Sequence, residues 1–360
     1  MEKCGQMKTI HFKASKEYDI LLDNGLINDI HNLIKPFCKN SNVAIITDDI
    51  VDALYGKKLF KKLKENEYSA FKFVFHNGEV SKNIHTLSKI LDFLAKNNFK
   101  RNDYLIALGG GVVGDITGFA SAIYMRGINF IQIPTTLLSM VDASVGGKTA
   151  IDLKEGKNLV GSFWQPSLVI CDTEIIKKLP SNIFKEGLAE VLKCNIIKNT
   201  GIFESVFNDV IYEKIDSIIY NCVELKRDIV EQDEFETNGQ RKLLNVGHTF
   251  AHAIEKLSNY KISHGYAVGT GIVWESALSY KLDICSRETF ETIKKASTKC
   301  DLLIDVSFNH SDIINAMKND KKNNDDMISF VLPINIGNCI EKKLSIKEIF
   351  DVFESMGDLI

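Results

Sequence analysis

No apolar run in this 360-residue chain is long enough to span a bilayer, which excludes a membrane-spanning helix. Neither charge sign dominates. Lys and Arg number 44 against 47 Asp and Glu, and the net charge of -3 offers no broad basic surface for nucleic acid or anionic lipid. Eight cysteines (Cys4, Cys38, Cys171, Cys194, Cys222, Cys285, Cys300, Cys339) are scattered without a CxxC pair, and no secretory signal opens the chain. Reduced thiols in the cytoplasm, most of them small core residues, are the expectation. There is also no internal repeat and no low-complexity segment.

What is present is an ordinary globular composition, 45% hydrophobic and 25% charged, at a length that suits two domains better than one. The first half alternates strand-like and helix-like stretches. Val43–Ile46, Phe71–Phe75, Tyr104–Leu108, Phe130–Ile133 and Leu168–Cys171 are short apolar runs ending in polar or glycine-rich turns. Between two of them, Ile84, Leu87, Leu91 and Leu94 keep helical spacing, with Ser81 as the predicted N-cap. This pattern predicts an α/β domain over residues 1–179, with a mostly parallel sheet that binds ligands at the carboxyl ends of its strands. After Pro180 the texture becomes helical. Glu186–Asn199, Tyr212–Glu234, Leu243–Tyr260 and Tyr266–Lys281 all read as helices, and strand-like sequence returns only at Ile328–Leu332. Residues 180–360 are therefore expected to form an all-α domain, with an exposed loop from Lys318 to Asp326.

The stretch Leu243-Leu-Asn-Val-Gly-His-Thr-Phe-Ala-His252, followed by His264-Gly265, carries the most chemistry. His248 and His252 are four apart and share a helix face, so with His264 they suggest a divalent-metal site. Position 249 is Thr, so the HExxH pattern of metalloproteases is absent. Glu190 and Lys193, at i and i+3 in Glu186-Gly-Leu-Ala-Glu-Val-Leu-Lys193, sit among apolar neighbours, and a carboxylate buried there needs a cation or metal. Lys226, Arg227, Arg241, Lys242, Lys321 and Lys322 read mostly as solvated charges on position alone.

Leu108-Gly-Gly-Gly-Val-Val-Gly-Asp115 follows a strand and satisfies GxGxxG, which lets backbone amides approach a pyrophosphate. The acid expected about 20 residues on in a standard dinucleotide fold is missing; that region is Phe130-Ile-Gln-Ile-Pro134. Ser144-Val-Gly-Gly-Lys-Thr149 resembles a P-loop fragment but has Asp142 where the first glycine belongs, so it is not read as an ATPase. A lysine beside two glycines still suits an anion.

These motifs, with Pro134-Thr-Thr-Leu-Leu138, Asp142-Ala-Ser-Val-Gly-Gly-Lys148, Gly156-Lys-Asn158 and Asn245-Val-Gly-His248, resemble the 3-dehydroquinate synthases in order and register over residues 43–333. The resemblance implies a nucleotide-binding α/β domain, a helical domain, NAD, one divalent metal (zinc, with cobalt as the alternative) and a homodimer. It implies conversion of 3-deoxy-D-arabino-heptulosonate 7-phosphate to 3-dehydroquinate and phosphate. The chemistry would be transient oxidation by NAD, phosphate elimination, re-reduction and aldol closure. Metal ligands would be Glu190, His248 and His264, which moves His252 to the substrate phosphate. NAD would meet Asp48, Glu79, Lys82, Gly109, Gly110, Gly111, Val112, Val113, Asp115, Thr135, Thr136, Asp142, Lys148 and Lys157. Lys148, Asn158, Asn245, His252 and Lys322 or Lys321 would surround the phosphate, with Arg126 donated by a second copy. Lys193, Lys226 and Arg241 would hold the substrate carboxylate and hydroxyls. Two nucleotide-side positions depart from the family: Lys178 stands where Thr is common, and Ile50 where a polar residue is usual. Another sugar-phosphate cyclase, such as 2-deoxy-scyllo-inosose synthase, and a metal-dependent glycerol-type dehydrogenase are the alternatives.

Overall fold

The five apolar runs of the first half all form strands of one seven-stranded sheet in this computed structural model, which describes residues 7–320, 327–357 and 359. The strands are β1 (Lys8–Phe12), β2 (Tyr18–Asp23), β3 (Asn42–Asp48), β4 (Ser69–Phe75), β5 (Tyr104–Gly109), β6 (Asn129–Pro134) and, later in the chain, Leu168–Asp172. Their order is β1-β2-β9-β6-β5-β3-β4, where β9 is Leu168–Asp172, and every pair is parallel except β1 with β2. The central strands are buried on both faces, which is why Val43–Ile46 and Leu105–Leu108 read as continuous apolar runs. Helix α1 (Lys57–Glu65) covers one face with Leu59 and Leu63, and α2 (Ile84–Lys96) and α3 (Gly111–Ile123) cover the other. Asn83, not Ser81, caps α2, because its side chain accepts from the amides of His85 and Thr86. The Ser81 hydroxyl donates to the His76 carbonyl instead.

A separate antiparallel hairpin, β7 (Lys148–Leu153) with β8 (Gly156–Phe163), was not legible as strand. The contacts divide the chain into two units, Met1–Leu179 and Pro180–Ile360. The second is built from α4 (Ser181–Ile197), α5 (Ile215–Gln232), α6 (His248–Leu257), α7 (His264–Lys281), α8 (Arg287–Lys299) and α9 (His310–Asp320). It is helical with one addition, an antiparallel hairpin of β10 (Met327–Asn335) and β11 (Asn338–Ser345), followed by α10 (Ile346–Glu354). The expected loop from Lys318 is helical through Asp320, and the remaining positions, Lys321 and Lys322 included, lie outside the described residues. Among the described residues no helix is long and apolar enough to cross a membrane.

Candidate active site

Strand order locates the nucleotide side. The chain runs from β3 outward to β4, then crosses back to place β5 on the other flank of β3 and β6 beyond it. The carboxyl ends of β3 and β5 therefore bound the crevice where connections diverge, the place such sheets bind ligands. Asp48 ends β3, buried, with its Oδ1 accepting from the Val51 amide at 2.8 Å. Gly109 ends β5, Gly110 is the N-cap of α3 and Gly111 its first residue. A Cβ on Gly109 would come within 2.4 Å of the Val113 side chain, and one on Gly110 within 3.2 Å of Thr136 Cγ2. The loop is thus a helix N-terminus stripped of side chains, suited to a pyrophosphate.

Neighbouring groups fix that loop. The Thr135 amide donates to the Gly109 carbonyl at 2.9 Å, and the Thr136 and Ser139 hydroxyls bond each other at 2.8 Å. Asp142 lies in a π-helical turn, Ser139–Ala143, a geometry often found at functional sites. Beside α3, buried Lys82 reaches Asp115 at 2.6 Å and the Asn158 side-chain oxygen at 2.5 Å. Burial disfavours its charge, but Asp115 and Glu79 outweigh it and hold the ammonium above the ordinary lysine value. Lys157 lies 3.6 Å from Glu79. Lys148, exposed, starts β7, so the Ser144–Thr149 segment runs into a strand and lacks the helix of a P-loop. Lys178 is exposed and pairs with Glu174 at 3.2 Å, and Ile50 is exposed. Arg126 is exposed in a strained turn, with positive φ at Met125, Arg126 and Gly127.

The second unit gathers the other set. Helix α4 is buried along most of its length, so Glu190 and Lys193 are hidden together, 1% and 2% exposed, and pair with each other. Lys226 on α5 and Arg241 are also buried, which corrects their reading as solvated charges. Lys242 is exposed and paired with Glu341, and Arg227 with Asp228, as that reading expected. The stretch Leu243–Tyr260 is not one helix. Gly247, at φ 83, breaks it, and α6 begins at His248. His264 is likewise the first residue of α7.

Glu190, His248 and His264 each offer one ligand atom, all within 4.8 Å of one another. His248 Nε2 and His264 Nε2 lie 3.6 and 3.3 Å from Glu190 Oε1. Their other ring nitrogens are engaged: His248 Nδ1 with the Val246 carbonyl at 3.1 Å, His264 Nδ1 with Glu255 Oε2 at 3.3 Å. Two imidazoles and a carboxylate are the donor set of open zinc sites, and such outer partners are what orient metal-bound histidines. The residues fit a divalent metal. His252, exposed, stands one turn along with its ring centroid 5.7 Å from that of His248; Asn245 is also exposed. Burial pushes the His248 imidazole down to about 3. Burial also opposes charge on His264, but hydrogen bonds to Glu190 and Glu255 prevail and raise it to about 10. A proton there neutralises the carboxylates as a cation would. Glu255 itself escaped the sequence reading, because Lys256 follows it and Ser258-Asn259 come soon after, so it lacks the apolar flanks that singled out Glu190.

Residues 72–186 match the family 3-dehydroquinate synthase N-terminal, and residues 187–323 match 3-dehydroquinate synthase C-terminal. The chain belongs to the 3-dehydroquinate synthase family. A 3-dehydroquinate synthase of Clostridium acetobutylicum is 39% identical over 351 residues, 96% of this chain and 98% of that protein. Two solved structures share the fold. One is ValA, a 2-epi-5-epi-valiolone synthase from Streptomyces hygroscopicus with NAD+ and Zn2+ bound, at TM-score 0.87, 23% identity and coverage of 96% and 99%. The other is a 2-deoxy-scyllo-inosose synthase with carbaglucose-6-phosphate, NAD+ and Co2+, at TM-score 0.85, 22% identity and coverage of 97% and 100%. As a 3-dehydroquinate synthase the chain is a lyase-type cyclase, and the rival cyclase and dehydrogenase readings give way to it.

Proposed function

We propose that this chain turns 3-deoxy-D-arabino-heptulosonate 7-phosphate into 3-dehydroquinate and phosphate with the residue roles that follow. The observation that carries the site reading is the convergence of Glu190, His248 and His264, with both Nδ1 atoms engaged behind them. When bound, NAD supplies reversible hydride transfer and the metal supplies Lewis-acid polarisation of the substrate oxygen being oxidised. Gly109 to Val113 leave backbone amides open to the pyrophosphate, with Asp48, Asp115, Thr135, Thr136, Asp142 and Lys157 around it, and Lys82, Glu79 and Lys178 at its margins.

Lys148, Asn158, Asn245, His252 and Lys322 bind the substrate phosphate and stabilise its developing charge as it leaves. A lysine, as a compact point charge, follows a departing anion without fixed geometry. Lys193, Lys226 and Arg241 are buried cations, and burial strengthens their attraction for a carboxylate. They orient the substrate so that the hydroxyl to be oxidised faces the metal ligands. Arg126, on its strained turn, is offered to the site of a second copy, which makes the working form a homodimer. Reduced buried thiols suit the cytoplasm.

The test is a turnover assay with the heptulosonate phosphate, NAD and zinc or cobalt. Phosphate release without accumulating NADH is the expected result. NADH accumulating with glycerol, and no phosphate release, would sink the reading.

A further inference from the structure

Both histidines of the metal triad are the first residues of helices, α6 and α7. A helix N-terminus carries roughly half a positive charge, so a cation held by the first residue of each helix lies near an end that opposes it. The structure sets a buried carboxylate beside each histidine, one on the backbone around His248 and one on the ring of His264. Glu275, fully buried on α7, accepts from the amide of Gly247 at 2.7 Å and from that of Thr249 at 3.2 Å, the two residues flanking His248. Glu255, 3% exposed on α6, meets His264 Nδ1 at 3.3 Å. Neither belongs to the Glu190, His248 and His264 cluster itself.

Around Glu275 the backbone has no slack. A Cβ on Gly271 would fall 2.1 Å from the Gly247 carbonyl, and one on Gly247 2.6 Å from Ile272. The first turn of α6 is therefore pinned to α7 by packing and by one carboxylate bridging its two amides. That carboxylate also offsets the positive end of α6.

We infer that Glu255 and Glu275 are positioning residues of the metal centre. Glu275 fixes the start of α6, and so His248, while neutralising the helix end. Glu255 fixes the ring of His264 and supplies negative charge behind it. The inference rests on the metal reading proposed above.

The experiment measures Co2+ affinity by chelator competition, the Co2+ ligand-field spectrum, and NAD affinity, on the full chain. Glu255→Gln keeps an oxygen that accepts from Nδ1 but removes the charge; Co2+ affinity should fall about tenfold, within the 10–100-fold range for outer-shell partners. Glu255→Ala also frees the ring, so the loss should approach about 100-fold with an altered spectrum. NAD affinity should stay at the wild-type value in both. Co2+ binding within threefold of wild type in both variants overturns the role of Glu255. Glu275→Gln should weaken Co2+ with NAD binding intact. A Glu275→Gln chain that binds Co2+ normally, or fails to fold, assigns Glu275 to the core and overturns that half. Glu190→Gln and His248→Ala separate the levels: wild-type Co2+ affinity in those two means the metal reading itself has failed.

Discussion

Lys82 holds its ammonium 2.6 Å from the Asp115 carboxylate, with the lysine side chain 6% exposed and the aspartate 20%. The pair ties the turn after β4 to the first turns of α3, beside the glycine loop. Removing the lysine takes a close ion-pair partner from the carboxylate and the donor from Asn158. Lys82→Ala should therefore destabilise the first unit by about 2–4 kcal/mol, somewhat less than a fully buried pair because Asp115 keeps some solvent. Urea unfolding of Lys82→Ala, Asp115→Asn and the double variant gives the coupling. A coupling near zero would mean the pair is only adjacent.

The two metal-side histidines have opposite pH signs in metal-free protein. His248 sits below its unfolded value, at about 3, so its contribution is complete above about 6.5 and is lost as pH falls toward 3. His264 sits above it, at about 10, so its contribution is complete below about 6.5 and is lost as pH rises toward 10. Stability without metal should peak near neutrality and fall on both sides. Metal must displace the His264 proton, so affinity should rise with pH, with about one proton released per ion. Calorimetry in buffers of different ionisation enthalpy counts that proton; a count of zero contradicts the assignment.

Much of the first unit was legible because β3, β5, β6 and β9 are covered on both faces and leave continuous apolar runs. The hairpin of β7 and β8 was not, since Gly156–Phe163 is largely exposed and carries no apolar run. The reading of one helix over Leu243–Tyr260 failed at Gly247, where periodicity continues but the backbone turns left-handed against Ile272. The same break decides the metal cluster. Spacing paired His248 with His252, whereas the atoms that converge come from α4, α6 and α7, a relation only tertiary packing creates.

Gly111 separates folding from binding. A Cβ there would meet Ala143 at 3.6 Å, an ordinary contact, and Ala is the better helix former. Gly111→Ala should leave stability unchanged or raised by up to about 1 kcal/mol. On the proposed nucleotide site, NAD affinity should still fall at least tenfold, because the methyl is added to the loop that would meet the pyrophosphate. Thermal unfolding together with NAD titration tests this. Unchanged NAD affinity would move the pyrophosphate off this loop.

Lys193 gives the least intuitive expectation. Its ammonium pairs with Glu190 in a buried setting, so it competes with a metal for the same carboxylate and repels the ion besides. Lys193→Met keeps the apolar stem and removes the charge. Metal affinity should then rise, on the order of tenfold for a like charge removed from so close a site. Catalysis should move the other way, because the lost cation is one of three proposed to hold the substrate; kcat/KM should fall at least 100-fold. Chelator competition and steady-state phosphate release on one preparation make the comparison. Weaker metal binding in Lys193→Met would show that the ammonium supports Glu190 as a ligand instead of competing for it.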